Sequence, residues 1–422
     1  MGRTARDNRD RARPRPVEKI QLSGENLTRR LIAAAVALVI GGIALTYAVS
    51  QMLAPEVGWQ TIEASLAEGP NCGSELVFHY ELGAAEGSPS AENSAVTTLY
   101  TDACRKLYQL FHTEESFTGV TNLWYVSQHP NETVTVDDIL YRAFESVQRC
   151  GDRTVYLGPV YAHYGGLFYC TDDSQLVEYD PFLNNEIRAE FAAAAAFARD
   201  PQAIELRLLG GNRVCLSVSE EYLAYAQQEG IERFLDFGWL KNAFIVDAIA
   251  EIMVENGYTH GSISSGNGFS RNLDDREVPY SQNLFDRVDG VIYPVGEMTY
   301  RGPMSIVYLR DYPMNDMDRY WSYQLEDGSV RSSYLDPADG LCRSAAHDLV
   351  CYSQTLSCAE IALQAAPIYV SDTLDVQALE ALAGVGIQSI RCEGRNVLGT
   401  EPDLEIANLY EGGGVRYSLL TD

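Results

Sequence analysis

The sequence predicts a mixed α/β (α+β) domain set behind a single N-terminal transmembrane helix. Three observations carry this reading. Helical and strand-like segments alternate from about residue 75 onward without a fixed repeat. The 422 residues are 46% hydrophobic, enough to bury one large core or two smaller ones, so two lobes are expected. From Leu31 to Val49 there is no charged residue.

That uncharged run is dominated by Ala, Val, Ile and Leu. As a helix rising 1.5 Å per residue it would span roughly 28 Å, close to the hydrocarbon thickness of a bilayer. Gly41-Gly42 would be costly in a soluble helix but is common in membranes. Arg29-Arg30 flank one side only. Positive charge stays in the cytoplasm, so the N-terminus is expected inside and everything after Val49 outside. Ala48-Val49-Ser50 offers a cleavage site for a competing signal peptide, but the apolar run is longer than a usual signal core. The expected organisation is a disordered basic cytoplasmic tail (1–30), a transmembrane helix (31–49), a stalk (50–74) and an extracytoplasmic domain (75–422). This makes the chain a single-pass protein of the cell membrane.

The tail holds nine basic and four acidic residues, leaving 22 basic and 55 acidic beyond it. Lys106 and Lys241 are the only lysines past the tail. A surface this acidic repels nucleic acid and anionic headgroups, so no nucleic-acid partner is expected. It also repels nucleotides, unless a metal ion or a cluster of donors receives them. Nine cysteines lie outside in irregular spacing with no Cys-x-x-Cys, which argues against zinc or iron–sulfur ligation. Cys351 and Cys358 are the closest pair; most cysteines read as small buried hydrophobes. The six histidines form no metal-spaced group, and neither a Gly-x-Ser-x-Gly elbow nor a Walker loop is present.

The elements follow in order. Leu76 to Tyr80 reads as a strand, and Gly83 to Ser90 as a small-residue loop. Ala91 to His112 and Val134 to Cys150 read as helices, the second opened by the caps of Thr135-Val136-Asp137-Asp138. Pro181 to Asp200, with its alanine run, is a third helix. Glu205 to Leu209 and Val214 to Val218 are strands, and Glu220 to Glu229 is helical. Phe244, Ile245, Ala248, Ile249, Ile252 and Met253 recur at helical spacing over 239–256, closed by Gly257. Strands are expected at 261–265, 290–295, 305–310, 329–335, 346–355, 388–392 and 415–420. Helices are expected at 357–366 and 376–383.

Four stretches carry side chains suited to chemistry. Asp236 and Gly238 stand at the mouth of the 239–256 helix, with Lys241 in its first turn and Asp247 further along. A helix mouth attracts anions, although a capped core helix with a solvated lysine reads equally from these residues alone. Ser265-Gly266-Asn267-Gly268 ends a strand in a turn whose amides can cradle an anion, or can simply close a hairpin. Asp336-Pro337-Ala338-Asp339-Gly340 is a turn sequence whatever else it does. Glu360 and Gln364, four apart, share a helix face and offer two oxygens to one hard cation, or form a solvated polar stripe.

In this order the four stretches resemble the FAD:protein FMN transferase (ApbE) family. The family pattern reads Asp-x-Gly-Gly-x-Ala-Lys-Gly-x-x-x-Asp, then Gly-Gly-Asn, then His-x-x-Asp-Pro-x-x-Gly, then Asp-x-x-x-Thr on a helix. Asp236, Gly238, Asp247, Gly266, Asn267, Asp336, Pro337 and Gly340 keep family identities. Trp239, Asn242, Ala243, Ser265, Ser333, Glu360 and Gln364 stand where the family has Gly, Lys, Gly, Gly, His, Asp and Thr. The resemblance implies an ApbE-like, two-lobed fold. It also implies an FMN transferase using FAD and Mg²⁺, with FMN passed to a Thr or Ser hydroxyl of a flavin-accepting, membrane-associated partner protein. On this reading Ser333 and Asp336 hold the catalytic positions. Asp236, Gly238, Lys241, Asp247, Gly266, Asn267, Asp336 and Gly340 line the cofactor. Glu360 and Gln364 hold the metal, aided by a main-chain carbonyl near Leu240 or Lys241. Altered reactive positions leave a second reading open, a catalytically degenerate relative that binds flavin or a protein at the membrane surface.

Overall fold

A computed structural model describes residues 57–64, 75–84, 88–315, 318–399 and 404–420. The expected tail and membrane helix lie outside these residues. Among the described residues no helix is long and apolar enough to cross a membrane.

Glu56–Asp422 forms one compact unit built on a nine-stranded sheet. Its strands run, in spatial order, Gly58–Ile62, Leu76–Leu82, Gly261–Ser265, Phe269–Asn272, Met304–Arg310, Asp348–Ser353, Gln388–Glu393, Asn396–Gly399 and Ser418–Leu420. Every neighbouring pair is antiparallel except the last, so the fold is α+β rather than a parallel α/β layer. The expected stalk is partly folded. Gly58–Ile62 pairs with Leu76–Leu82, Gly58 opposite Leu82 and Ile62 opposite Phe78.

Met304–Arg310 shows how the sheet organises the core. Its apolar run is buried on both faces. Strand alternation sends Val307 and Leu309 to one side, and Ile306 and Tyr308 to the other. On the first side lies the helix Lys241–Glu255, ten of whose residues are buried. Beside it pack Pro89–Leu110 and Cys358–Tyr369. On the second side the hairpin of Pro279–Val288 and Val291–Arg301 lays Leu284, Val295, Met298 and Tyr300 against the sheet. The expected two lobes are therefore two cores on opposite faces of one sheet. A small sheet of Thr133–Thr135, Arg213–Val218 and Ile204–Leu208 extends the helical side.

Helix ends follow the sequence closely. Asp137 caps Asp138–Cys150 by accepting from the Ile139 amide, and Gly151 closes it at φ 67°. Ser219 caps Glu220–Glu229, and Gly230 ends it at φ 68°. Cys351 and Cys358, the closest pair in sequence, form no disulfide and are both buried. They pack as small hydrophobes.

One buried carboxyl makes stability depend on pH. Asp348, at the start of its strand, accepts from the Tyr312 hydroxyl at 2.7 Å through Oδ2, while its Oδ1 has no partner. Burial pushes its pKa from 3.8 to about 7, with Asp286 adding to the rise and Tyr312 and Arg310 opposing it. The folded state then holds this proton where the unfolded chain has lost it. Stability is retained below pH 4 as far as this group is concerned, falls as pH rises from there to about 7, and levels off once the folded group has ionised. His347, raised by its hydrogen bond to Asp311, acts in the same direction, its contribution fading as pH rises through its folded pKa. Asp348→Asn is expected to flatten the decline between about pH 4 and 7, on the order of a few kcal/mol. Thermal melts of both proteins across that range check this; parallel pH profiles would remove Asp348 as the cause.

Candidate functional site

Of the four stretches singled out above, those of Asp236 and Asn267 meet at the mouth of the helix Lys241–Glu255, while Glu360 stands at the start of the neighbouring helix beside Asp247, and each is held by bonds internal to the protein. Asp236 folds back on its own turn. Its Oδ1 accepts the Gly238 amide at 2.7 Å, and its Oδ2 faces Arg233 Nη1 at 3.3 Å. Gly238 has φ 51°, and a Cβ there would meet the Tyr161 ring at 2.1 Å. Glycine is required both for the backbone conformation and for the space.

Asn242, at the family lysine position, is 2% exposed. Its Nδ2 donates to Glu75 Oε2 at 3.1 Å and to Asn267 Oδ1 at 3.0 Å. Ser265 Oγ donates to the same Asn267 oxygen at 2.8 Å, and Asn267 Nδ2 donates to the Trp239 carbonyl at 3.1 Å. Gly266 and Asn267 thus lie against the helix start, as the resemblance expects, but Asn267 acts as a clamp between strand turn and helix. Lys241 is half-buried and lines a cavity of about 300 Å³ beside His112, Arg233 and Asp236. Glu75 and Glu114 line the same cavity, which offsets its cations.

Asp247 is almost wholly buried and faces the start of the helix Cys358–Tyr369. Its Oδ1 accepts the Cys358 amide at 2.9 Å and Arg271 Nη1 at 3.2 Å; its Oδ2 accepts the Ala359 amide at 2.8 Å. Burial raises its pKa, against the pull of Arg271 and the two amides. It caps a neighbouring helix from outside, satisfying two donors that have no partner within that helix.

At the expected metal position Glu360 completes a capping box. Ser357 Oγ accepts the Glu360 amide, and Glu360 Oε2 accepts the Ser357 amide at 3.1 Å. The other oxygen, Oε1, faces Arg149 Nη2 at 3.4 Å. Gln364 Nε2 donates to the Glu360 carbonyl at 3.3 Å. Among the described residues no group of three His, Cys, Asp or Glu side chains is placed to hold a metal ion. This donor set does not fit Mg²⁺.

The Asp336 loop is closed in the same way. Asp336 Oδ1 accepts the Ala338 amide at 2.7 Å. Arg343 then bridges Asp336, Asp339 and Asp372 at 2.7–2.9 Å. Gly340 has φ 76°, with Val160 and the Phe191 carbonyl beside it. Ser333 donates its amide to the Trp321 carbonyl, and its hydroxyl meets no base among the described residues.

The space between the helix mouth and this loop, where a diphosphate was expected, is filled. Trp239 is 2% exposed, stacks on Phe269 at 6.2 Å and meets the Tyr334 ring edge-on at 5.0 Å. The helix Gly158–Tyr164 also stands between, with Tyr161 against Gly238 and Val160 against Gly340. The residues present therefore do not fit the diphosphate of FAD at that place.

An open cavity of about 340 Å³ lies beside Gly266 and Asn267; the sequence reading named these two but not the other walls. Ser262, Ser264, Ser270, Ser322, Tyr280 and Trp321 are among its walls. The available signal was the Ser262-Ile263-Ser264 alternation, which leaves hydroxyls on a sheet face otherwise covered by apolar residues.

No family model matches the sequence, and no curated protein matches it. Solved structures do match. The ApbE protein of Thermotoga maritima superposes with a TM-score of 0.53 at 12% identity, over 83% of this chain and 97% of that one. The flavin transferase ApbE of Vibrio cholerae superposes with a TM-score of 0.53 at 15% identity, over 79% and 93%. A mutant of the same Vibrio cholerae protein gives 0.54 at 15% identity, over 82% and 97%. These structures are covered almost completely: this chain carries the fold of the ApbE flavin transferases, in a form divergent in sequence.

Proposed function

We propose that this chain is a catalytically silent protein of the ApbE fold. It serves as a binding module held at the outer membrane surface by residues 31–49. One observation carries the reading: the side chains at the family's reactive positions are either consumed inside the protein or replaced by ones that cannot serve. Phosphoryl transfer from FAD needs a metal to offset charge, a group to accept the hydroxyl proton, and a cradle for the diphosphate. Glu360 is spent on a capping box and Arg149. Ser333 replaces the proton acceptor. Trp239 and Tyr161 occupy the cradle. What persists are Gly238, Gly266, Asn267, Asp336 and Gly340, which shape turns and clamp elements together. The transferase reading would further need a flavin-accepting partner; the binding reading does not.

The test is full-length protein in detergent, given FAD, Mg²⁺ and a threonine-bearing acceptor of a flavin transferase. No metal-dependent AMP release and no flavinylated acceptor are expected. AMP release that Mg²⁺ stimulates and EDTA abolishes would overturn the proposal and restore the transferase reading.

A further inference from the structure

The cavity beside Asn267 is open, unlike the filled space between the helix mouth and the Asp336 loop, and two residues of the expected cofactor set, Gly266 and Asn267, are among its walls. We propose that it binds a neutral, polyhydroxylated ring: a glycosyl unit. The inference rests on the binding-module reading and names the ligand class.

Ser262 and Ser264 project from one face of their strand, and Ser270 stands opposite Ser264 on the next. None of the three hydroxyls has a hydrogen-bond partner among the described residues, and all three residues line the cavity. Ser322 is the sharpest case. It is 3% exposed, lines the cavity, and its hydroxyl too is without a partner among the described residues. These hydroxyls open onto the cavity, where the oxygens of a ligand can take the place of water. Trp321 sets its indole N–H beside Gly266, where a Cβ would lie 3.7 Å from Nε1.

The remaining walls are aromatic faces. The Tyr280 hydroxyl is spent on Asp274 at 2.9 Å, and the Tyr308 hydroxyl accepts the Phe285 amide at 2.8 Å. Their rings are therefore offered as surfaces, not as hydrogen-bonding tips. Tyr280 also stacks on Tyr300 at 6.0 Å, which stiffens that wall. The charged groups of the lining, Arg310 and Asp318, neutralise each other at 2.8 Å. Among the described residues no unpaired cation faces the cavity, so a phosphate entering it would be desolvated without compensation. A sugar ring asks for what is present: several hydroxyl and N–H partners around a rim, and flat apolar faces for its C–H side.

Full-length protein in a detergent without a sugar headgroup is titrated with glucose, galactose, N-acetylglucosamine, maltose and chitobiose. Calorimetry and tryptophan fluorescence follow binding, with riboflavin and FMN as comparison ligands. At least one neutral saccharide is expected to bind and to change the emission. Trp321→Ala and Ser264→Val should each weaken that binding about tenfold or more, the loss of one good contact. Unchanged melting temperatures show that these variants fold. Should either not fold, Trp321→Phe, which keeps an aromatic wall and deletes the N–H along with part of the ring, must still weaken binding. No saccharide binding at millimolar concentration, or binding that the variants leave intact, overturns the inference. Riboflavin competing for the same cavity overturns it in favour of a flavin ring. AMP release from FAD sinks the binding-module reading instead, and silence towards saccharides alone leaves that reading standing.

Discussion

Asp247→Ala is expected to lower the unfolding free energy by about 3 kcal/mol. Three donors converge on this carboxylate: the amides of Cys358 and Ala359 and the guanidinium of Arg271. The two amides belong to the first turn of a buried helix, where neither water nor an intrahelical carbonyl replaces the lost acceptor. A conventional cap is worth about 1 kcal/mol; this one adds a second amide and an ion pair in a desolvated setting. Arg271 is the softer part, because its side chain is partly exposed and can rehydrate. Asp247→Asn, which keeps one acceptor oxygen, should cost less than half as much. Urea unfolding with an unchanged m-value checks both. A cost below about 0.5 kcal/mol for alanine would mean that the cap is not structural, and a ligand role would return.

The fold was largely legible in the chain because local rules and global packing agree over most of it. Glu220–Glu229 stands at its expected residues, since Ser219 and Gly230 mark both ends. The helix beginning near Trp239 was visible from its apolar spacing, and its true start at Lys241 differs only by a 3₁₀ turn over Gly238–Leu240. Three regions were not legible. Residues 153–178 form short turns and the seven-residue helix Gly158–Tyr164, too brief for any period to show. Pro279–Val288 is a strand with mostly polar or half-exposed residues, paired only by its long hairpin to Val291–Arg301. Gly58–Ile62 is a sheet-edge strand lacking the apolar run that identifies buried strands.

The site was legible as a set of places and illegible as a set of roles. The order of Asp236, Asn267, Asp336 and Glu360 carries the mark of the ApbE fold, since turns and helix starts leave fixed residue types behind. Whether a carboxylate is free or spent depends on partners far along the chain. Asp247 meets Ala359 across 112 positions, and Glu360 meets Arg149 across 211. Nothing local in the sequence records those pairings.

Trp239→Ala is the companion expectation, with a loss of about 4 kcal/mol. The indole is buried between Phe269 and Tyr334, and the surrounding sheet and helices leave little room for collapse. Its Nε1 has no partner, so the cost is packing and not a broken hydrogen bond. That distinction is testable. Trp239→Phe deletes the orphaned donor along with part of the ring, so it should cost far less than alanine, about 1–2 kcal/mol. The same variant separates two explanations of the missing cradle. If Trp239 alone excluded the diphosphate, emptying its place would let FAD bind. Tyr161 still stands against Gly238, and Arg343 still neutralises Asp336, so the alanine variant is expected to bind FAD no better than the parent. Fluorescence titration with FAD decides it. Tight binding gained on truncation would show that one residue silenced the fold, whereas continued indifference places the loss in the whole set of internal bonds around the helix mouth.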